Sequence, residues 1–356
     1  MNINEVISVL GLKVMGKFIK KKDIWSLSLC TLAILGSSQV LADTLVPVTE
    51  KNYEFAESDL AFKNITKLVG SNQWFHFPGL TPLDNQTVVR MNRDTIYSGY
   101  VADLSQGGSI TIPDVGKRYI SIMVVQNDHY IDQVFSKPGT HKFDSQTDFA
   151  MIVARVQIDP NDPKDLKRVK DIQSKLKVTT GSKKEHVMPN YDMQQLVALR
   201  EKLTQEGAKL GNQKNMQGAH GKVNPRMHMY GTAIGWGMLP DSEAQYFSYY
   251  SKGDVANPKN CSQATYQAPD IRGNGFYSLT VYNKQGYIAF DKAVLNKNNI
   301  EYNDDGSFTV NYGNCPKTAK NVMPVEQDWD VMMRIYKPNL VKTASYELPK
   351  PKVVSK

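Results

Sequence analysis

A short segment near residue 90 carries the side chains best suited to chemistry. Arg90, Asn92, Arg93 and Asp94 follow one another closely and lead to Tyr97. Alternate side chains of an extended strand share a face, so the sequence places Arg90, Asn92 and Asp94 on one side. A guanidinium offers a planar pair of donors that fits a carboxylate or phosphate, so Arg90 or Arg93 could clamp an anionic ligand. The alternative is an internal Arg–Asp pair that fixes a turn between domains.

A second group of candidates lies around His129. Asp128 precedes it at the end of a predicted core strand, and Asp132 follows nearby. A histidine beside a carboxylate can act as a general base whose ring the carboxylate orients. Trp236, in a Gly-Trp-Gly motif, is a further candidate for contact with a ligand.

Several familiar motifs of catalysis are missing from the sequence. It has no His-x-His, His-Glu-x-x-His or Cys-x-x-Cys spacing, so a metal site would need ligands assembled across strands. It also lacks the Gly-x-Ser-x-Gly elbow of α/β-hydrolases, phosphate-binding glycine loops and the dinucleotide fingerprint. We therefore expect neither a metal nor a cofactor.

Residues 1–42 have the layout of a cleavable signal peptide. Lys17 and Lys20–Lys22 form a basic region, Ile24–Leu35 is mostly apolar, and Val40–Ala42 supplies a cleavage site with compact residues. The apolar run is shorter than the roughly 20 residues that a membrane span needs. A buried N-terminal helix or an uncleaved anchor is the alternative. We expect a mature chain that begins at Asp43, is periplasmic or secreted, and has no stable membrane span.

The composition is that of an ordinary globular protein, with 41% hydrophobic, 10% aromatic and 22% charged residues among 356. The net charge of +8 overstates the mature chain, because residues 1–42 hold five lysines against two acids, which leaves +5 after cleavage. A basic cluster at residues 164–184 is typical of a solvated helix face. Without a basic stripe or a known binding module, we expect no nucleic-acid partner.

The cysteines fit an exported protein. Cys30 leaves with the signal peptide, and Cys261 and Cys315 remain in the body of the chain. An even pair in an oxidising compartment predicts a disulfide between them, and two buried free thiols are the alternative.

Three regions follow the signal peptide. Residues 43–160 alternate short β-rich runs with turns, residues 161–229 read as a helical middle segment, and residues 230–350 return to strands. The clearest strand is Gly275–Asn283, with Tyr287–Phe290 as its predicted hairpin partner. This pattern predicts a mainly β protein built from two sandwiches.

Helical patterns occur at three places. Apolar residues recur at helical spacing in Asn52–Val69 and in Met193–Leu210, where Gly211 provides a stop. A third helix is predicted to start near Asp162 and Asp165, where a capping residue and an acid precede the apolar positions.

Several of these segments together resemble one kind of two-domain protein. The N-terminal strings resemble the family known as domain of unknown function 1254, and the C-terminal strings resemble its usual companion, domain of unknown function 1214. The strings are Gln86–Ser98 and Pro113–Tyr119 for the former, and Gly231–Pro240, Phe276–Asn283, Asp305–Val310 and Arg334–Pro338 for the latter. The resemblance implies an immunoglobulin-like sandwich, a helical middle and a jelly-roll-like C-terminal sandwich. It implies no particular reaction.

The chain departs from the family pattern at one loop. Members commonly carry Leu-Pro followed by Gly-Trp-Asn, whereas this chain has Asn321–Pro324 and then Gln327–Asp330. The polarity of this loop therefore differs from that of the family pattern.

Two functions are compatible with these features. The first is an exported envelope protein that binds or processes a glycan or a small anionic ligand in a cleft between the β-domains. Loop aromatics, which stack on sugar rings in many jelly rolls, favour it. The second is a non-catalytic structural or interaction protein whose motif residues lock the domains together. The sequence does not define an oligomeric state.

Overall fold

A computed structural model describes residues 44–84, 86, 90–159, 162–210 and 213–354. The predicted signal peptide, residues 1–42, lies outside these described residues.

The N-terminal domain is built on a five-stranded antiparallel sheet. Its strands are β1 (Trp74–His76), β2 (Thr95–Asp103), β4 (Ile120–Gln126), β5 (Gln133–Phe135) and β7 (Phe149–Gln157). Their order in the sheet is β1–β2–β7–β4–β5. Strands β2, β4 and β7 are buried along almost their whole length, because both faces of the sheet are covered. This explains why β7 has a nearly continuous apolar sequence instead of an alternating one.

A three-stranded sheet covers one face of this domain. It contains β3 (Gly108–Ile112), β6 (Gly139–Lys142) and β8 (Lys177–Thr180), in the order β6–β3–β8. Strand β8 and helix α2 (Asp165–Ser174) come from beyond residue 160 and join the same domain. One apolar core lies between the two sheets, and its members include Ile96, Ile110, Ile120, Ile152 and Val169.

Three longer helices pack together beside the sheet. They are α1 (Tyr53–Val69), α3 (Met193–Ala208) and α4 (Pro225–Gly235), and the two helices predicted at Asn52–Val69 and Met193–Leu210 are confirmed. Each of the two later helices has a side-chain cap. Asp192 accepts hydrogen bonds from the first backbone N–H groups of α3, and Asn224 does the same for α4. Among the described residues, no helix combines the length and the apolar composition that a bilayer crossing requires.

The C-terminal domain holds two four-stranded sheets. The first contains β9 (Ala244–Tyr250), β11 (Ile271–Tyr282), β12 (Val294–Asn296) and β15 (Asp330–Pro338), in the order β12–β11–β15–β9. The second contains β10 (Cys261–Tyr266), β13 (Phe308–Gly313), β14 (Val322–Met323) and β16 (Lys352–Val353), in the order β14–β13–β10–β16. A short helix, α5 (Leu340–Thr343), follows β15. The core between the sheets is rich in aromatic side chains, including Tyr266, Phe308, Tyr312 and Trp329.

A disulfide joins Cys261 and Cys315, whose Cα atoms are 4.6 Å apart. Cys261 opens strand β10, and the antiparallel register places it opposite Gly313, the last residue of β13. Cys315 follows two residues later, so the register of the two strands brings the cysteines together.

The two domains share an apolar core. The second face of the five-stranded sheet packs against α1 and against the first C-terminal sheet. Met123 and Val153 contribute from the N-terminal side, and Phe276 and Tyr336 from the C-terminal side. The protein is therefore mainly β, as the strand pattern predicted. The finer assignments, immunoglobulin-like and jelly-roll, stay predictions.

Candidate functional site

The segment that runs from Arg90 to Asp94 lies at the junction of the two domains. Arg90 has a left-handed backbone, with φ of 55°, which is uncommon for a residue with a side chain. Two hydrogen bonds from the C-terminal domain hold it there. Its N–H donates to the Gly286 carbonyl at 2.7 Å, and its carbonyl accepts from the Arg334 guanidinium at 2.8 Å.

The side chain of Arg90 is also taken up by the C-terminal domain. Its Nη2 donates to Asp330 Oδ2 at 2.8 Å, and its guanidinium lies 5.2 Å from the centre of the Tyr250 ring. The Asp330 side chain is only 4% exposed, whereas that of Arg90 is 27% exposed. An ion pair with one buried partner is screened less by water than a surface pair.

Asn92 organises the turn and crosses the junction. Its Oδ1 accepts from the backbone N–H groups of Asp94 and Thr95 at 3.1 and 3.3 Å. Its Nδ2 donates to the hydroxyls of Tyr97 and Tyr336, at 2.9 and 3.3 Å. One amide therefore shapes the start of β2 and links it to β15.

Asp94 is the most deeply buried member of the segment, at 1% exposure. Its Oδ2 accepts from the Ser278 hydroxyl at 2.7 Å. Burial raises the pKa of this carboxyl, and the nearby Arg334 guanidinium only partly offsets the effect. Arg93 is different, because it donates to Asp291 at 3.1 Å and that carboxylate is 81% exposed. Such a pair contributes little stability.

Arg334 completes the junction, although it was not among the predicted site residues. It is 4% exposed and donates to the hydroxyls of Thr280 and Tyr282 as well as to the Arg90 carbonyl. The sequence did contain a signal for this role. Arg334 lies within the apolar run of β15, where a charged side chain is unusual and requires a buried partner. We call Arg90, Asn92, Asp94, Asp330 and Arg334 the interdomain clamp.

His129 lies deeper in the N-terminal half of the junction. It is fully buried, and burial holds the pKa of its imidazole well below the ordinary value. The neutral ring accepts from the Gly237 N–H through Nε2 at 2.9 Å, so Nδ1 carries the proton and donates to the Thr232 hydroxyl at 2.7 Å. Trp236 stacks on this ring at 5.4 Å and donates to Ser58 at 3.2 Å.

The carboxylates near His129 serve another histidine. Asp128 and Asp132 bind the two ring nitrogens of His220, at 2.8 and 2.7 Å. These contacts raise the pKa of His220, although burial acts against them. His129 itself bonds no carboxylate among the described residues, so the arrangement is not that of a histidine base held by a neighbouring acid.

The two predicted groups of residues meet through Arg155. The guanidinium of Arg155 lies 5.1 Å from the centre of the Tyr97 ring, and Tyr97 accepts from Asn92. The same guanidinium donates to the Gly237 carbonyl at 2.6 Å, and Gly237 donates to His129. Like Arg334, Arg155 is a charged residue within an apolar strand. It too was missed, because its contacts are set by the fold.

The fold and the junction define a mainly β protein of two domains with a buried polar contact between them. Two family models match it: Protein of unknown function (DUF1254) over residues 71–136, and Protein of unknown function (DUF1214) over residues 244–340. The chain is therefore a two-domain protein that carries both of these families in that order. No curated protein matches the chain significantly.

One solved structure shows a similar fold. The VPA0106 protein from Vibrio parahaemolyticus aligns with a TM-score of 0.66 at 16% identity, over 86% of this chain and 98% of that chain. An uncharacterized protein from Burkholderia cenocepacia aligns with a TM-score of 0.49 at 12% identity, over 86% of this chain and 88% of that chain. At this identity the first likeness concerns the fold alone, and the second is too weak to support an argument.

The clamp predicts a pH dependence of stability. Burial raises the pKa of Asp330 from 3.8 to about 6 although Arg90 opposes it, and Asp330 Oδ1 has no hydrogen-bond partner among the described residues. A carboxyl with a raised pKa in the folded state stabilises the fold below pH 3.8, and that stabilisation is lost as the pH rises through 6. We expect the Asp330 contribution to the free energy of unfolding to fall by roughly 3 kcal/mol between about pH 4 and 7.

Urea unfolding of the wild type and of Asp330→Asn across this range measures the contribution. The free energy of unfolding of the wild type, minus that of Asp330→Asn, should fall by roughly 3 kcal/mol between about pH 4 and 7, because an amide does not titrate. Parallel pH profiles for the two proteins would contradict the assignment.

Proposed function

We propose that the chain is an exported, non-catalytic protein of the cell envelope, in which the interdomain clamp holds two β-domains as one body for interaction with other envelope components. The observation that carries this proposal is that the charged clamp side chains bind partners within the protein. The charged groups of Arg90 and Asp94 bind partners in the C-terminal domain, so they are not presented to a ligand.

The histidines support the same proposal. His129 and His220 each form hydrogen bonds within the protein through both ring nitrogens. His228 donates through Nε2 to the Asp128 carbonyl, and its Nδ1 is buried. None of these three is positioned to take a proton from a substrate in the described structure.

Two surface cavities lie away from the clamp. One, of about 470 Å³, is lined by residues that include Lys342 and Tyr346. The other, of about 390 Å³, is lined by residues that include Met193 and Val197. Neither of these two cavities is lined by Arg90, Arg93 or Asp94, so neither supports the processing of a glycan or anion by these residues.

Export is supported by the cysteine pair. A disulfide between Cys261 and Cys315 is compatible with an oxidising compartment, where such bonds persist, whereas cytosolic thiols are kept reduced. This agrees with the signal-peptide pattern of residues 1–42 and with a periplasmic or secreted mature chain.

Protein recovered from the envelope of its native host tests the proposal. Mass spectrometry is expected to find a mature chain that begins at Asp43, and incubation with envelope glycans and small carboxylates is expected to leave them unconverted. An intact N-terminus in the membrane fraction would contradict export. Turnover that Asp94→Asn abolishes, in a protein that stays folded by circular dichroism, would contradict the non-catalytic role.

A further inference from the structure

Arg155 carries a buried charge for which the described chain supplies no counter-charge. It lies in β7 and is 5% exposed. Its hydrogen-bond acceptors are the Gly237 carbonyl at 2.6 Å and the Met123 sulfur at 3.9 Å. No Asp or Glu of the described residues forms an ion pair with it. Buried charges in proteins are ordinarily paired, because removing a charge from water is costly.

The other arginines of the junction are compensated. Arg90 is paired with Asp330 and Arg93 with Asp291. Arg334 lies close enough to Asp94 for its charge to act on the pKa of that carboxyl. Among these described arginines, Arg155 is therefore the one without a carboxylate partner.

Neutral polar and aromatic groups surround Arg155. The strand register places Tyr97 and Ser121 beside it on either side, so the three side chains form a row across β2, β7 and β4. The Ser121 hydroxyl is buried and forms no well-aligned hydrogen bond with the described residues. Tyr246 stands nearby with a pKa that burial raises to about 12, so its hydroxyl keeps its proton.

Three aromatic side chains near this row are only partly buried. Tyr97, Trp236 and Tyr246 pack at the edge of the shared core, and each keeps part of its surface in contact with solvent. The aromatic faces at this edge could pack against the apolar or aromatic part of a ligand, and the guanidinium and hydroxyls could donate to its oxyanion.

We propose that Arg155 anchors a binding site for a small organic monocarboxylate at the domain junction. The guanidinium fork binds the carboxylate, Ser121 donates to one of its oxygens, and the aromatic edge receives the organic body. One positive charge is neutralised by one negative charge, whereas a phosphate dianion would leave excess negative charge buried in the junction. The site goes beyond the clamp function, and its anchor, Arg155, is not a clamp residue.

Calorimetric titration of the mature protein with benzoate tests this site, with acetate and inorganic phosphate as comparisons. Wild type is expected to bind benzoate saturably, with a dissociation constant of about 1 mM or tighter. Arg155→Met keeps a similar side-chain length without the charge, and it should weaken binding at least about tenfold, since hydrogen bonds to charged groups are the strong ones. Arg272→Met makes the same substitution at an exposed position and should leave binding unchanged.

Thermal unfolding of the ligand-free variants separates this role from a structural one. Removal of an uncompensated buried charge should leave the melting temperature of Arg155→Met equal to or above that of the wild type. Benzoate should raise the melting temperature of the wild type and of Arg272→Met, but not that of Arg155→Met. The proposal is overturned by a wild type that binds no monocarboxylate, by equal binding to Arg155→Met, or by tighter binding of phosphate than of benzoate. Conversion of the bound carboxylate would instead count against the non-catalytic function.

Discussion

Replacement of Arg334 by methionine is expected to lower the free energy of unfolding by about 3–5 kcal/mol, the usual cost of breaking a buried charge interaction from one side. The substitution leaves Asp94 buried without its neighbouring cation. It also removes donors from the Arg90 carbonyl and from the hydroxyls of Thr280 and Tyr282. Urea unfolding followed by circular dichroism measures the loss.

Two further variants show whether the loss belongs to the clamp. Arg272→Met removes a guanidinium that is 52% exposed, lies 3.9 Å from Glu243 and donates to the carbonyls of Ser242 and Pro338. It should cost less than Arg334→Met, because exposed pairs contribute only about 0.2–1 kcal/mol and no carboxylate is left buried. Asp94→Asn combined with Arg334→Met removes both charges, so it should recover part of the loss. Equal destabilisation by the two arginine variants would show that the charge of Arg334 has no special role in the junction.

Loss of the Cys261–Cys315 disulfide is expected to have an effect of similar size. The bond closes a loop with a sequence separation of 54 residues. Chain-entropy reasoning for a loop of this length gives a stabilisation of about 4 kcal/mol. The variant with serine at both positions should therefore unfold at a clearly lower urea concentration. The wild type after reduction should behave in the same way.

Peptide mapping without reductant provides the control. It should recover the two cysteines in one linked pair of peptides from the wild type. Two free thiols in the folded wild type, or a double variant as stable as the wild type, would contradict a stabilising role for the bond.

Much of the architecture could be predicted from sequence patterns, and the predictions that are wrong have physical reasons. The hairpin predicted after Gly275–Asn283 is wrong in its second strand, because β11 pairs with Val294–Asn296 instead of Tyr287–Phe290. The turn itself forms, since the Asn283 N–H donates to the Tyr287 carbonyl. Both backbone groups of Ile288 are then taken by the side chain of Gln86, at 2.7 and 2.8 Å. A side chain from the other domain thus occupies groups that a strand partner would use.

The candidate residues show a similar limit. Residue type predicted a polar centre at Arg90–Asp94, with an internal Arg–Asp pair as the alternative to a ligand clamp. The shared face predicted from strand alternation is wrong, because these residues form a turn before β2 and Arg90 has a positive φ. The partner of Arg90 is Asp330, far along the chain, and only the docking of the two sheets brings them together. The same holds for Asp128 and His220. Local sequence patterns indicate that a charged residue requires a partner, but tertiary packing determines which residue that partner is.

Differential scanning calorimetry of the wild type and of Arg334→Met tests the central claim, that the clamp holds the two domains as one body. The shared core and the clamp predict a single transition for the wild type, with equal calorimetric and van't Hoff enthalpies. Arg334→Met is expected to lower that transition as a whole or to divide it in two. Two separate transitions in the wild type, with only the one of the C-terminal domain shifted by Arg334→Met, would show that the domains unfold independently and would contradict the account.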